Sequence, residues 1–238
     1  MSLAQKSPYI IITCEHADFK IPKFIKSKIP NLKKTHASYD ENAFNMAQHL
    51  SQEFKSLGYK SDLISYTYTR LILDANRTKK NKGFYSKLSP YLTDDELKKT
   101  EKLYDAYLKK CQTLISKNLS TKDIYIFSIH SFVSVFKGKK RKTDLGLLFR
   151  NKILKEKNLA IKLQKEIQRL DPKINVHKNL PYRGHTDCFL NHILDQHKKS
   201  SSVNGLFFEF NQSLIKSKHK KTAKLIASSL NEVINRKS

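Results

Sequence analysis

The sequence has no tryptophan and little acid: its 238 residues carry 21 Asp and Glu against 46 Lys and Arg, a formal net charge of +25. It also lacks any apolar run near the roughly 18 residues a membrane span needs. The longest apolar stretches, such as Tyr9–Cys14 and Gly205–Phe208, are strand-sized, which argues against a helical membrane protein. Cysteine is sparse. Cys14, Cys111 and Cys188 are odd in number, widely spaced and without a Cys-x-x-Cys pair, so neither a disulfide framework nor a structural zinc cluster is expected. Arginine is scarce as well, since 39 of the 46 basic residues are lysine. Nucleic-acid sites favour arginine for bidentate contacts, whereas lysines spread singly along helices form a solvated face. A nucleic-acid partner is therefore not expected, despite a pI near 9.9. The short apolar run that ends in Cys14-Glu15-His16 is no secretory signal, and a cytoplasmic location is expected.

What the chain does contain is enough for a core. A hydrophobic content of 39% with 10% aromatics fits a globular protein rather than a disordered polycation. At this length most of the unfolded surface can be buried in one domain spanning 1–238. Tyr9–Thr13 (YIIIT) is β-branched and too short for a helix, so it predicts a buried strand. Pro22 and Pro30 hold the following stretch in loops or a short turn. Ala43, Met46, Ala47, Leu50 and Phe54 recur at three and four, predicting a helix over roughly 41–57 with Asp40 as its cap and Gly58 as its stop. Strands are expected at Ser61–Tyr68, Leu71–Asp74, Asp123–Ser128, Leu145–Phe149, Ile174–His177 and Gly205–Phe210. Helices are expected from the Thr93/Glu96 capping box to about Asn118, and near 155–170, 186–198 and 214–235. Alternating strands and helices without a repeat or linker predict a three-layer α/β sandwich around a mainly parallel, mixed sheet.

Ligands of such sheets sit beyond the carboxyl ends of the strands. The polar residues there are His16, the segment Arg70–Arg77, His130 and Glu209. Around them lie seven short segments: Cys14-Glu15-His16-Ala17 with Ile21-Pro22, His36–Ala43 (HASYDENA), Thr69–Arg77 (TRLILDANR), Ile129–Phe132 (IHSF), Gly138–Arg141 leading to Gly146-Leu147, Asn179–Gly184 (NLPYRG) and Phe208-Glu209-Phe210. In this order, over about residues 9–235, they resemble the N-formylglutamate amidohydrolase family. Asp18 and Asn42 stand where that family usually has glycine, and Asn211 where an arginine follows the strand glutamate.

The resemblance implies a zinc-exopeptidase-like (phosphorylase/hydrolase-like) fold related to the zinc carboxypeptidases, holding one Zn2+ per chain. It implies His16 and His130 as metal ligands and Glu209 as general base. The peptidases place a glutamate three residues after their first histidine, where this chain has Phe19; the related cell-wall amidases take a carboxylate from the start of the next helix, where Asp40 stands. Asp40 is thus the expected third ligand, with Asp18 and Glu15 as competitors. Arg70 would help stabilise the oxyanion, Asn76 and Arg77 would clamp a substrate carboxylate, and Arg141 and Arg183 would be further anchors. The implied reaction is hydrolysis of the amide of a small anionic N-formyl or N-acyl amino acid. A zinc peptidase or cell-wall amidase is the alternative within enzymes, and a basic nucleic-acid-binding protein on the same fold the alternative outside them.

Bland roles compete for several of these residues. Arg70 and Arg77 could pair with Asp62 and Asp74, Asp74 could merely orient its loop, and His36 reads as a surface histidine. Cys14 reads as a buried thiol, and Tyr182 could line a site or simply pack. Glu209, flanked by Phe208 and Phe210, resists a bland role, because a buried carboxylate is costly unless paired.

Overall fold

In the computed structural model, which describes residues 7–29 and 32–235, the N-terminal β-branched run forms β1 (Ser7–Cys14). Pro30 lies outside the described residues. Pro22 precedes a single 3-10 turn, Lys23–Lys28. The chain continues through α1 (Ala43–Ser56), β2 (Lys60–Ser65), α2 (Asp94–Asn118), β3 (Lys122–Phe132), a small hairpin of β4 (Val135–Phe136) and β5 (Lys139–Lys140), and β6 (Leu145–Leu148). It ends with α3 (Leu154–Leu170), β7 (Val176–Lys178), α4 (Phe189–Gln196), β8 (Val203–Asn211) and α5 (Gln212–Asn235).

Six strands form one sheet in the order β2-β1-β3-β8-β6-β7. All neighbouring pairs are parallel except β6 with β8, so β6 and β7 run against the other four. Alternation along the strands sends residues to two separate cores. On one face Ile10, Ile12, Phe127, Leu206 and Phe208 meet the apolar stripe of α1 together with α3 and α5. On the other, Ile11, Ile126, Leu148 and Phe207 meet Tyr104, Tyr107 and Cys111 of α2 and Phe189, Leu190 and Ile193 of α4. The result is the expected three-layer α/β sandwich with a mostly parallel mixed sheet. The Thr93 hydroxyl accepts from the Glu96 N–H at 3.4 Å while Glu96 returns a bond to the Thr93 N–H at 2.8 Å, so the capping box starts α2 as expected.

Three expectations need correction. Leu71–Asp74 is no strand; it forms a turn followed by a single isolated bridge from Leu73 to Tyr85. The strand after α2 runs on to Phe132, which places His130 inside β3 rather than past its end. Asp40 does not cap α1. The helix starts at Ala43 with Asn42 as its N-cap, and the Asp40 side chain turns to other partners described below.

Asn42 has φ +62° and ψ 0°, the left-handed region that costs most residues about 1–2 kcal/mol and that Gly and Asn tolerate. This backbone shape accounts for the glycine usual in the resembling family and for asparagine as its substitute here. Replacement Asn42→Ala is expected to cost about 1 kcal/mol of stability, and Asn42→Gly only a few tenths. Chemical denaturation of the two variants checks this, and equal losses would refute the conformational explanation.

Candidate metal centre

The backbone brings the site together by register. In the parallel pairing of β3 with β8, His130 lies opposite Glu209, so both side chains leave the same sheet face at the carboxyl end of the strands. His16 follows the end of β1, the next strand over. Its carbonyl accepts from the Asp40 N–H at 3.0 Å, which holds the segment before α1 against the turn after β1. The His16, Asp40 and His130 side chains are all buried, and they offer one ligand atom each within 4.8 Å of one another. The Asp40 carboxylate is the hub. Its Oδ2 lies 2.9 Å from His130 Nδ1 and 3.3 Å from His16 Nδ1, and its Oδ1 accepts from Arg70 Nη1 at 3.1 Å.

Each imidazole turns its far nitrogen to another carboxylate. His16 Nε2 is 2.7 Å from Asp74 Oδ1, which also accepts from the Asn76 N–H at 2.9 Å. His130 Nε2 stands 3.1 Å from Glu15 Oε2, a close ion-pair contact without good hydrogen-bond alignment. Glu15 in turn accepts from Tyr107 at 2.9 Å and Ser128 at 2.7 Å. Both Nδ1 atoms therefore face the centre, and outer carboxylates orient the rings, an arrangement typical of metal-ligating histidines. Glu15 serves from behind, and Asp18 pairs with Lys20 at 3.3 Å outside the cavity wall.

The electrostatics call for a cation here. Burial opposes the charged imidazoles, yet Asp74 and Asp40 raise His16, and Asp40 and Glu15 raise His130 well above its ordinary range. Burial likewise works to raise Asp40 and Asp74, but the histidines and Arg70 outweigh it, holding Asp40 well below its usual value and Asp74 at about 2. Burial dominates at Glu209, whose pKa rises to about 7. Its Oε2 has no hydrogen-bond partner, so it is poised to take up a proton near neutrality. Two histidines with one carboxylate, buried and facing inward, fit a zinc ion with an open coordination position.

The cluster opens into a cavity of about 640 Å3. Arg70, Asn76, Arg77 and Arg183 line it together with His16, Asp40, His130 and Glu209, so three of the four residues expected to bind substrate, and the arginine expected at the oxyanion, share one cavity with the cluster. Arg141 does not line it. Its guanidinium is held against Phe132, Phe136 and Tyr182, at 5.2, 4.8 and 5.5 Å from the ring centroids, bracing the β4–β5 hairpin against the 179–184 loop. That loop is itself pinned. Asn179 Oδ1 accepts from the Phe149 and Gly184 N–H groups, and a Cβ at Gly146 or Gly184 would collide with the Leu180 or Phe149 backbone. Glycine at these two positions lets the loop close over β6 and present Tyr182 and Arg183 to the cavity.

The bland pairings for the arginines do not occur. Asp62 bonds Tyr9, Arg70 bonds Asp40, and Arg77 Nη1 donates to the Asp187 carbonyl at 3.0 Å. His36 is no plain surface residue. It lines the cavity, with Nδ1 3.8 Å from Asp40 Oδ1 and 3.3 Å from Gln212 Nε2. Leu148, Phe207, Cys188 and Lys87 also line the cavity and carried no signal of function in the sequence. Strand alternation alone could have found Phe207, which lies two residues before Glu209 on the same face.

No curated protein matches the chain. Among solved structures it is similar to gene product Atu2144 from Agrobacterium tumefaciens, with 20% identity and a TM-score of 0.78 over 97% of this chain and 92% of that one. That likeness concerns the fold. An N-acetylmuramoyl-L-alanine amidase from Clostridium difficile 630 is more distant, at 13% identity and a TM-score of 0.49 over 98% of this chain and 100% of that one. The N-formylglutamate amidohydrolase family pattern matches residues 8–216, most of the chain. With the motif order and the cluster at the strand ends, this match settles the family: the chain belongs to the N-formylglutamate amidohydrolase family, a family of amide hydrolases.

Proposed function

We propose that the protein is a zinc-dependent amidohydrolase that cleaves the amide of a small N-formyl or other N-acyl amino acid, releasing a carboxylic acid and the free amino acid. The observation that carries this reading is the convergence of His16 Nδ1, His130 Nδ1 and the Asp40 carboxylate beside the unpartnered oxygen of Glu209. His16, Asp40 and His130 would hold the zinc, and Asp74 and Glu15 would fix the two rings from behind. When bound, the ion supplies Lewis acidity that polarises the amide carbonyl and acidifies the attacking water.

The remaining work falls to the chain's own groups. Glu209, raised toward neutrality by its burial, accepts the proton of the attacking water and returns it to the leaving nitrogen. Arg70, already at the rim of the cluster, donates to the developing oxyanion. Arg77 and Asn76 hold the α-carboxylate of the amino acid. Asn76 lines the cavity with Arg77 and would donate through its side-chain NH2, and Arg77 keeps part of its guanidinium free after its bond to the Asp187 carbonyl. Arg183, exposed at the cavity mouth, supplies a further positive charge to an incoming anion, and Arg141 acts on the substrate only through the loop it braces.

Purified protein is expected to carry about one zinc per chain by elemental analysis, with the metal lost in His16→Ala and His130→Ala. Asp74→Asn should bind zinc about 10–100-fold more weakly while keeping the fold, as expected when an outer partner of a ligating histidine is removed. Unchanged zinc affinity in Asp74→Asn would remove it from this role. The variant Glu209→Gln should retain zinc and lose at least about 100-fold in kcat against an N-acyl amino acid, the usual scale of a general base. Near-wild-type turnover in that variant would exclude Glu209 as the base.

A further inference from the structure

The walls of the cavity divide sharply by depth. Its buried lining consists of the cluster residues with Ser131 and Gly184, and of Leu148, Phe207 and Cys188. Its extra cations, Arg183 and Lys87, are exposed at the mouth. Leu148 and Phe207 are partners across the β6–β8 pairing, and the Phe207 ring centroid lies 6.3 Å from that of His130. At the other end, Cys188 follows Asp187, whose carbonyl accepts from Arg77. Leu148, Phe207 and Cys188 belong to one apolar cluster and supply the apolar part, or floor, of the buried lining, with Phe207 nearest the metal cluster and Cys188 next to the residue that holds Arg77. A substrate with its amide at the cluster and its α-carboxylate at Arg77 lays the substituent on its α-carbon along this floor.

We propose that Leu148, Phe207 and Cys188 form a side-chain subsite for an aliphatic or thioether group, so that the amino acid released is apolar rather than dicarboxylic. The proposal rests on the reading of the site as an N-acyl amino acid hydrolase. A carboxylate lowered onto this floor would lose its water against three uncharged side chains, while Arg70 and Arg77 are already engaged by the amide and the α-carboxylate and Arg183 and Lys87 lie exposed. An alkyl chain there gains by burial instead. Cys188 behaves as a small hydrophobe on that surface, its thiol pushed up to about 12 by burial.

The test compares N-formylmethionine, N-formylleucine and N-formylglutamate as substrates of the zinc-loaded protein. The two apolar substrates should show kcat/KM at least about tenfold higher, the scale set by a methylene or two in an apolar pocket. Equal or faster cleavage of N-formylglutamate overturns the subsite while leaving the reaction in place. The same compounds are also titrated calorimetrically into zinc-loaded Glu209→Gln, where binding is read without turnover. Tighter binding of the apolar pair there supports the subsite even if the wild-type protein cleaves none of the three, a result that would count only against the reaction. Lack of preference in both measurements overturns the subsite. In Leu148→Ala the preference should shift from N-formylleucine toward N-formylphenylalanine as the floor deepens. Should that variant fail to fold, Cys188→Val should instead lower binding of N-formylmethionine relative to N-formylalanine; a uniform change for both compounds would contradict the assignment.

Discussion

The interaction on which the rest of this molecule depends is the buried Asp40 carboxylate, set between two imidazoles and a guanidinium. Four carboxylates, Asp40, Asp74, Glu15 and Glu209, gather around two buried histidines, and all but Asp74 are themselves buried. Such a concentration of acid is unstable without a cation, because desolvation of each charge must be offset locally. Arg70 offsets part of it from the rim, and the histidines can do so by protonation or by giving their inward nitrogens to a metal ion. Much of the surrounding polar structure follows from that need. Tyr107 and Ser128 donate to Glu15, the Asn76 N–H donates to Asp74, and the Ser131 N–H lies 3.4 Å from Asp40.

The sheet converts this local demand into a fold-level constraint. His130 and Glu209 must face the same side, and the register of β3 with β8 fixes that. A slip of one residue would exchange Glu209 for Phe208 and place a carboxylate in the core beneath α1 and α5. The reversed direction of β6 then matters for the entrance. Because β6 runs antiparallel to β8, Gly146 comes to lie opposite Glu209, and its missing side chain leaves room for the Leu180 backbone to pass over the strand. The same passage brings Tyr182 and Arg183 to the cavity. Site and entrance are therefore consequences of two pairings, one parallel and one antiparallel.

Layer architecture and most element positions were legible because they rest on local signals: β-branched runs, a three-and-four apolar stripe, a capping box. The candidate cluster was legible through motifs that name residue types in order, and the structure brings one ligand atom each of His16, Asp40 and His130 within 4.8 Å of one another. What the sequence obscured has physical reasons. Asp40 carries the signature of a helix cap, and only its tertiary partners pull the carboxylate away from α1, leaving Asn42 at the helix start. His36 looks like any histidine in a lysine-rich chain until the fold sets it over Asp40. Asp74 orients its loop through the Asn76 N–H, and one and the same oxygen also holds His16, a dual role that no spacing reveals. The cavity floor was hidden most completely, because Leu148, Phe207 and Cys188 look like core and are core on every side but one.

A net charge of +25, carried mostly by lysine, produces a field that extends over about 10 Å in ordinary salt and draws any small anion inward. It acts on every N-acyl amino acid alike, because each carries at least one carboxylate. Arg183 and Lys87 continue that field to the mouth, and in the proposed mode of binding Arg77 would turn it into a directed contact. None of these groups distinguishes one side chain from another once the α-carboxylate is held. Discrimination has to come from surface that the side chain meets after losing its water, and in this cavity that surface is a leucine, a phenylalanine and a neutral thiol. On the proposed reading, the surplus of positive charge would govern how often a substrate arrives, and three uncharged residues which one stays.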